Sequence, residues 1–150
     1  MHAVEGARLL ATPQGELDAL FGASEAGPVP NGFGSGTALM FPGTPYSAVT
    51  AQLIGALFWQ GKTFFRDHGI LTNSITPMHL PAVVAFVYED ASRFDGKPCI
   101  VLDYSRTSIA ARYIRDELRL VAPGLYLGRA YAFNRFLFGF VLQFNNTFLK

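Results

Sequence analysis

The chain has 150 residues, half of them hydrophobic, and 15% of them charged against about 25% in an average soluble protein. Twelve basic and eleven acidic side chains are mixed along it and give a formal charge of +1. Because no basic stripe is available to neutralise phosphates, this pattern argues against nucleic acid as a partner. The length suits one domain, which we assign to residues 1–150.

The number of cysteines and the hydropathy of the chain indicate where in the cell the protein is located. Cys99 is the single cysteine, which excludes an internal disulfide and suits a reducing cytoplasm. The first residues, "MHAVEGARLLATPQ", have neither the basic stretch nor the apolar run of a secretory signal. No stretch approaches the roughly 18 apolar residues that a membrane-spanning helix needs. We therefore expect a cytoplasmic protein without stable membrane insertion, and a passing contact with a membrane surface stays open.

Two helices are predicted, over residues 13–25 and 46–60. In the first, Thr12 can cap the helix and Pro13 suits the first helical position. The second, "YSAVTAQLIGALFWQ", has one apolar stripe and ends before Gly61. Between them, the strand "GFGSGTALMF" alternates glycines, which would let another backbone or a helix lie close. A phosphate-binding glycine loop should open into a helix, and this one continues as a strand.

The rest of the chain is predicted to be sheet. The candidate strands are "KTFFRD", "LTNSI", "AVVAFVYED", "CIVLDYS", "DELRLV", "LYLGRAYAF" and "FLFGFVLQF", with "APG" and "NR" joining the last three. Two short helices with about seven closely spaced strands predict an α+β fold, a curled antiparallel sheet or a small β-barrel. "FLFGFVLQF" places Phe136, Phe138 and Phe140 on one face and Leu137 and Val141 on the other. Strands that are apolar on both faces indicate an outer helix, or a ligand inside and a partner outside.

Several segments carry a resemblance to a known group. "ELDALFGASEAGPVPNGFGSG", "LFWQGKTF", "DYSRTS" and "PGLYLGRAY" resemble bacterial lipocalin-like proteins of the uncharacterised GxWxG-domain group. The resemblance implies a calycin-type barrel. This chain departs from the pattern at Gly34, where the group has tryptophan. The group has no agreed activity, so the resemblance implies no reaction.

Arg129 and Tyr131 are the first candidate ligand-binding residues. "RAY" resembles the Arg-x-Tyr pair with which fatty-acid-binding proteins hold a ligand carboxylate inside a barrel, and Leu127 shares the face of both residues. An ion pair is the alternative: a three-residue "APG" loop would put Glu117 opposite Arg129, and a Pro-Gly loop would make Asp116 its diagonal neighbour. Both roles are compatible, because a guanidinium has five N–H donors.

Aromatic residues supply further candidates for a ligand pocket. The chain has fourteen phenylalanines, more than a compact core of this size requires. We expect Trp59, Phe86, Phe138 and Phe140 to line a pocket. An aromatic core is the alternative, in which Trp59 anchors the second helix to the barrel.

Three residues are candidates for catalysis: Asp103, Tyr104 and His68. An aspartate on an apolar strand face would have a raised pKa and could act as a general acid or base. Asp103 could equally cap the following "SRTS" turn. Lys62 could be a desolvated nucleophile or a cation at a helix end. The three histidines have no metal-ligand spacing, and no histidine follows His79, so we predict neither a metal nor haem or another cofactor.

The leading functional hypothesis is non-catalytic binding of a small hydrophobic molecule in a barrel cavity. Such a ligand would be a lipid, an isoprenoid or a polyketide-like molecule, with a carboxylate as one option for its polar end. The alternative is a cofactor-independent cyclase or isomerase that acts on such a molecule in the same cavity. A third hypothesis is a homodimer that forms through "FLFGFVLQF" and needs no pocket.

Overall fold

The computed structural model describes residues 2–40, 61–74, 84–109 and 111–145, which form a closed antiparallel β-barrel with two short helices. The helices are α1 (His2–Leu10) and α2 (Gln14–Ala23). The strands are β1 (Gly32–Leu39), β2 (Gly61–Phe65), β3 (Ile70–Ser74), β4 (Val84–Ala91), β5 (Pro98–Asp103), β6 (Ile114–Ala122), β7 (Leu125–Ala132) and β8 (Arg135–Phe144). Each strand pairs with the next in sequence, and β8 pairs with β1. The predicted α+β barrel is confirmed.

The two helices of the structure are only partly those predicted. Helix α2 corresponds to the predicted helix over 13–25, with Pro13 at its N-cap and no side-chain capping bond. The predicted Thr12 cap is wrong, because its hydroxyl donates instead to the Arg8 carbonyl at the end of α1, 2.7 Å away. Helix α1 was not predicted. The predicted helix over 46–60 lies outside the described residues.

The barrel interior is packed around aromatic rings that stand over glycines. A Cβ added to Gly34 would lie 2.5 Å from the Phe144 ring, and one added to Gly128 would lie 2.3 Å from the Phe140 ring. A side chain at either position would collide with its ring. At Gly34, the space left by the missing side chain is filled by the Phe144 ring of β8. The sequence had suggested a helix or another backbone at this place.

A second apolar cluster lies on the outer face of the barrel. Leu17 and Phe21 of α2 pack there against residues of β7, β8 and β1, among them Leu125, Leu127 and Val141. An outer helix was one of the two explanations offered for strands that are apolar on both faces. For β7 the outer helix is the correct explanation, because α2 covers its outer face and its first seven residues are all buried.

Two bulges set the register of the last three strands. Glu117 pairs with Arg129, as the three-residue-loop register predicted, but the turn is shorter and an irregularity between Leu120 and Ala122 takes up the difference. In β8 the register shifts between Ala130 and Tyr131, so that Ala130 pairs with Phe138 and Tyr131 with Phe136. Phe136 therefore faces outward, and the prediction that it shares a face with Phe138 is wrong. A bulge inserts one extra residue into a strand, so the side chains before it point to the opposite face from the one that simple alternation predicts.

The two ends of the barrel differ. Residues 24–31, which we call the end-closing segment, cross the end where β6 finishes: the Leu120 N–H donates to the carbonyls of Glu25 and Ala26, and the Tyr126 hydroxyl donates to the Pro28 carbonyl, 2.7 Å away. Ala26 is buried in the interior core. The opposite end, which we call the mouth, lies where β6 begins, and the described residues there include 104–109, 111–113 and the turn at 133–134.

Candidate functional site

Among the described residues, the barrel interior leaves a cavity of about 230 Å³ near the mouth. Its walls are mostly apolar and are formed by Ala111, Ile114, Ala130, Leu137, Phe138 and Phe140. Four polar residues complete the lining: Lys62, Asn73, Tyr104 and Asp116. We call these four the polar cluster.

The polar cluster is assembled from separate strands. Lys62 on β2 pairs directly with Asn73 on β3, Asp116 lies on β6, and Tyr104 follows the last residue of β5. Each strand member shares its face with a buried apolar residue two positions away: Phe64, Leu71 and Leu118. Barrel closure, which brings inward-facing positions of distant strands together, therefore creates the cluster.

The Lys62 ammonium holds the cluster together. It donates to the Asn73 side-chain oxygen at 2.5 Å and to the Tyr104 hydroxyl at 2.8 Å, and it lies 3.3 Å from an Asp116 carboxylate oxygen. The Tyr104 hydroxyl also accepts from the Asn73 amide at 3.0 Å and donates to Asp116 at 3.3 Å. All four side chains are buried. Buried polar atoms that satisfy one another in this way give a rigid group with fixed donor directions.

Burial is the largest influence on the pKa of each titratable group in the cluster. It raises the pKa of Tyr104 and of Asp116, and the neighbouring Lys62 ammonium offsets only part of each rise. Burial alone would lower the pKa of Lys62, but Tyr104 and Asp116 outweigh it and the net pKa is raised. At neutral pH the cluster therefore contains a protonated phenol and an ammonium, whose O–H and N–H groups are directed at Asn73, Tyr104 and Asp116.

Arg129 does not reach the cavity, so the prediction that it binds a ligand inside the barrel is wrong. Its guanidinium lies on the outer face of β7, where it donates to Asp18 of α2 at 2.5 Å and to the Tyr131 hydroxyl at 2.9 Å. The rings of Phe94 and Phe136 lie 4.4 and 4.2 Å from it. Arg129 therefore joins helix α2 to the barrel wall.

The acidic partners predicted for Arg129 are also wrong. The Glu117 carboxylate accepts from the Ser92 hydroxyl at 2.6 Å, the Arg93 N–H at 2.8 Å and the Arg115 side chain at 3.0 Å. Asp116 faces the interior. Leu127 lies with Arg129 on the outer face, in the cluster covered by α2. The face was misassigned because the helix buries the outer side of β7 as completely as the core buries the inner side.

The candidate catalytic residues separate in the structure. Tyr104 belongs to the polar cluster, whereas His68 is exposed in a short 3-10 helix, Arg66–His68. Asp103 accepts from the Ser105 N–H at 2.9 Å and from the Tyr88 hydroxyl at 2.8 Å, so it caps the turn after β5. Burial would raise the pKa of Asp103, but these hydrogen bonds outweigh it and the net pKa is lowered. The raised pKa expected for Asp103 is wrong.

The aromatic candidates divide in the same way. Phe138 and Phe140 line the cavity, and Phe86 is exposed on the outer side of β4. Trp59 lies outside the described residues. Sequence reasoning missed Asn73 and Asp116 as lining residues and gave Lys62 other roles. The available signal was a lone polar residue that shares a strand face with large apolar neighbours.

Two searches of the described residues gave negative results. The part of the chain that the structure describes contains no group of three or more His, Cys, Asp and Glu side chains placed to hold a metal ion. No helix within the same ranges has the length and apolar character needed to span a bilayer.

Comparison with known proteins supports the fold. No protein-family model matches the chain, and no curated protein matches it. The resemblance to the GxWxG-domain group therefore has no support from a family match. A crystal structure of a protein from Thermomonospora curvata is similar, with 18% identity, a TM-score of 0.55 and 89% of each chain covered. At this identity the likeness concerns the fold alone, so the chain is a β-barrel protein similar in fold to one from that bacterium.

Proposed function

We propose that the barrel binds a small, mostly apolar molecule in its cavity, with one polar group of that molecule directed at Lys62 and Tyr104. The observation that carries this proposal is the buried polar cluster in an otherwise apolar cavity. Replacing a buried ion pair by apolar side chains of similar volume often leaves stability unchanged or increases it. In a ligand pocket, by contrast, a few placed polar groups fix the orientation of a greasy molecule.

The cavity volume limits the size of the ligand. An engineered cavity of about 150 Å³ in another protein holds benzene. A cavity of about 230 Å³ suits a molecule of roughly ten non-hydrogen atoms. A small isoprenoid or polyketide-like molecule fits this description, and a long fatty acid would project from the mouth.

The charge of the cluster favours a neutral oxygen on the ligand. Asp116 already compensates the Lys62 ammonium at 3.3 Å, so a carbonyl or hydroxyl oxygen that replaces one hydrogen bond within the cluster adds no buried charge. A ligand carboxylate would compete with Asp116 for Lys62. Because burial raises the pKa of Asp116, its protonation would relieve that competition, and carboxylate affinity should rise as the pH falls.

Filling the cavity tests the binding proposal. Ala130 lines the cavity, so Ala130→Phe or the smaller Ala130→Leu should abolish binding and leave the barrel folded. The matched control is Ala23→Phe, at an exposed position of α2. Native mass spectrometry would detect a co-purified ligand, and thermal shifts with isoprenoids, short polyketide mimics and fatty acids would measure added probes. A bare-chain mass with no shift from any probe, or equal binding by the Ala130 variants, would count against the proposal.

The cyclase or isomerase alternative is favoured by one observation. The Tyr104 phenol and the Asp116 carboxylate lie side by side in the cavity, 3.3 Å apart. A protonated phenol can donate to a substrate carbonyl while a carboxylate accepts a proton from a neighbouring carbon. Tyr104→Phe should then abolish turnover, whereas the loss of one hydrogen bond should weaken ligand affinity by no more than about ten-fold. Tyr88→Phe, an exposed tyrosine on β4, is the matched control, and unchanged turnover in Tyr104→Phe would exclude this role.

We also propose the finer assignments that rest on the sequence. An up-and-down order of eight strands is the order of lipocalins, which supports placing the chain with lipocalin-like proteins, including the GxWxG resemblance. A cytoplasmic location stays a prediction from the single cysteine. A homodimer through "FLFGFVLQF" has lost its main argument, because Phe138 and Phe140 face the barrel interior.

A further inference from the structure

The most exposed hydrophobic side chains of the described residues lie together around the mouth. Ile109 is 86% exposed, Phe133 69%, Leu137 52% and Tyr113 51%. All four belong to residues 104–115 and 132–138, which we call the mouth segments. Exposed apolar side chains that concentrate at one place on a monomer mark an interaction surface.

The same segments are strongly basic. They contain Arg106, Arg112, Arg115 and Arg135, and neither segment contains an aspartate or a glutamate. Arg106, Arg112 and Arg135 are exposed. Since the whole chain carries a formal charge of +1, the residues outside the mouth segments carry −3. Arg115 is paired with Glu117 and Asp103 lies beside these segments, so the exposed positive charge there comes from Arg106, Arg112 and Arg135.

Direct contacts make the two mouth segments one surface. The Phe133 and Tyr113 rings stack at 4.5 Å, and the Phe133 N–H donates to the Tyr113 carbonyl. The Arg112 guanidinium lies 4.8 Å from the centroid of the Tyr113 ring. Leu137 is both exposed and part of the cavity wall, so the surface is continuous with the opening of the cavity.

We infer that the mouth segments bind the surface of an anionic lipid bilayer. Exposed aromatic and aliphatic side chains enter the headgroup region, and neighbouring arginines contact the lipid phosphates. A second copy of the chain is the poorer partner, because each copy would bring three exposed arginines, Arg106, Arg112 and Arg135, to the interface. The inference does not require the cavity to hold a ligand. Docking in this orientation turns the cavity toward the bilayer, where an apolar molecule can enter without crossing water.

Vesicle co-sedimentation tests the inference. The full chain should bind vesicles of phosphatidylglycerol and phosphatidylcholine, bind pure phosphatidylcholine vesicles weakly, and lose affinity as salt concentration rises. Arg112→Gln and Arg135→Gln should each weaken binding roughly five-fold. Ile109→Ser and Phe133→Ser should each weaken vesicle binding more than either arginine variant does. Phe33→Ser and Arg8→Gln change exposed residues away from the mouth segments and should bind as the unmodified chain does.

Three outcomes would overturn the inference. The first is no sedimentation with anionic vesicles, and the second is an equal loss in the mouth and control variants. The third is a dimer of the unmodified chain, detected by analytical ultracentrifugation, that Ile109→Ser converts to monomer while vesicle binding is unchanged. Circular dichroism of each variant verifies folding. Cavity binding is measured separately with Ala130→Leu, so failure of one proposal is distinguishable from failure of the other.

Discussion

Lys62 and Asp116 are opposite charges buried side by side in the barrel interior, and both depend on that contact. Their side chains are only 6% and 7% exposed, so water solvates neither of them well. Removing one partner of such a pair leaves an uncompensated buried charge, which is far more destabilising than removing both. Comparing the stability of a single variant with that of the double variant therefore tests whether the two charges are in contact.

We expect Lys62→Met to lower the free energy of unfolding by about 3–5 kcal/mol at pH 7. Without the ammonium the folded-state pKa of Asp116 rises further above its unfolded value. Stability should then be greatest below the unfolded pKa and fall as the pH increases toward 7. Denaturant unfolding between pH 4 and 8 measures this slope. The double variant Lys62→Met/Asp116→Leu should recover most of the loss, and a double variant as unstable as Lys62→Met would contradict the explanation.

A second buried cation, Arg119, has a structural role. It donates to both Asp95 oxygens at 2.7 Å and to the carbonyls of Phe21, Lys97 and Pro98. These bonds use all five guanidinium N–H groups and connect α2 to the β4–β5 hairpin. The Arg119 hydrogen bonds lower the pKa of Asp95 from 3.8 to about 2.

The lowered pKa of Asp95 predicts an acid-dependent contribution to stability. Because the folded-state pKa lies below the unfolded value, the contribution is present above pH 4 and lost as the pH falls toward 2. The difference in unfolding free energy between the unmodified chain and Asp95→Asn should therefore shrink over that interval. Unfolding curves at several pH values measure it, with Asp67→Asn, an exposed change elsewhere, as the control. A difference that stays constant down to pH 2 would refute the assignment.

At the scale of elements, β7 and β8 fit together because glycine and phenylalanine alternate in size across them. Gly128 pairs directly with Phe140, and the ring covers the glycine where a Cβ would stand. Helix α2 covers the other side of the same strands. The sheet is thus fixed on both faces, and β7 has no spare volume at Gly128.

Two alanine substitutions compare these elements. Gly128→Ala should lower the free energy of unfolding by about 1–3 kcal/mol, because the new methyl group overpacks the Phe140 ring. Gly15→Ala should raise it by about 0.5–1 kcal/mol, because Gly15 lies in α2 with no atom within 4 Å of a new Cβ. Thermal and denaturant unfolding measure both. A neutral Gly128→Ala would mean that the ring moves freely, contrary to the packing described.

The contact between helix and barrel gives a further prediction. Arg129→Met removes the bond to Asp18, which is 34% exposed and can be solvated, so we expect a loss of about 1 kcal/mol in unfolding free energy. Because Arg129 lies outside the barrel, the affinity of any cavity ligand should be unchanged. Ligand titration of the folded variant verifies the second point, and a large fall in affinity would indicate that Arg129 reaches the ligand after all.

At the scale of the whole molecule, local patterns predicted the strands but not the inside of the barrel. Alternation shows which residues share a face, as for Leu127, Arg129 and Tyr131, but not which face is inward when both are apolar. The partner of Arg129, Asp18, is 111 residues away and belongs to a helix whose position the sequence does not specify. The polar cluster has the same origin, because its members meet only once the barrel closes.

The seam between β1 and β8 has a consequence for how the protein forms. It joins the first strand to the last, and the hydrogen bond from Ser35 to Gln143 spans 108 positions. Closing so long a loop costs entropy before any contact is gained, so folding should be slow, on the order of milliseconds to seconds. During synthesis on the ribosome, β1 has an open edge until residues 135–144 emerge from the exit tunnel. A chain that stalls before then exposes that edge to other chains, and association with them becomes its main hazard.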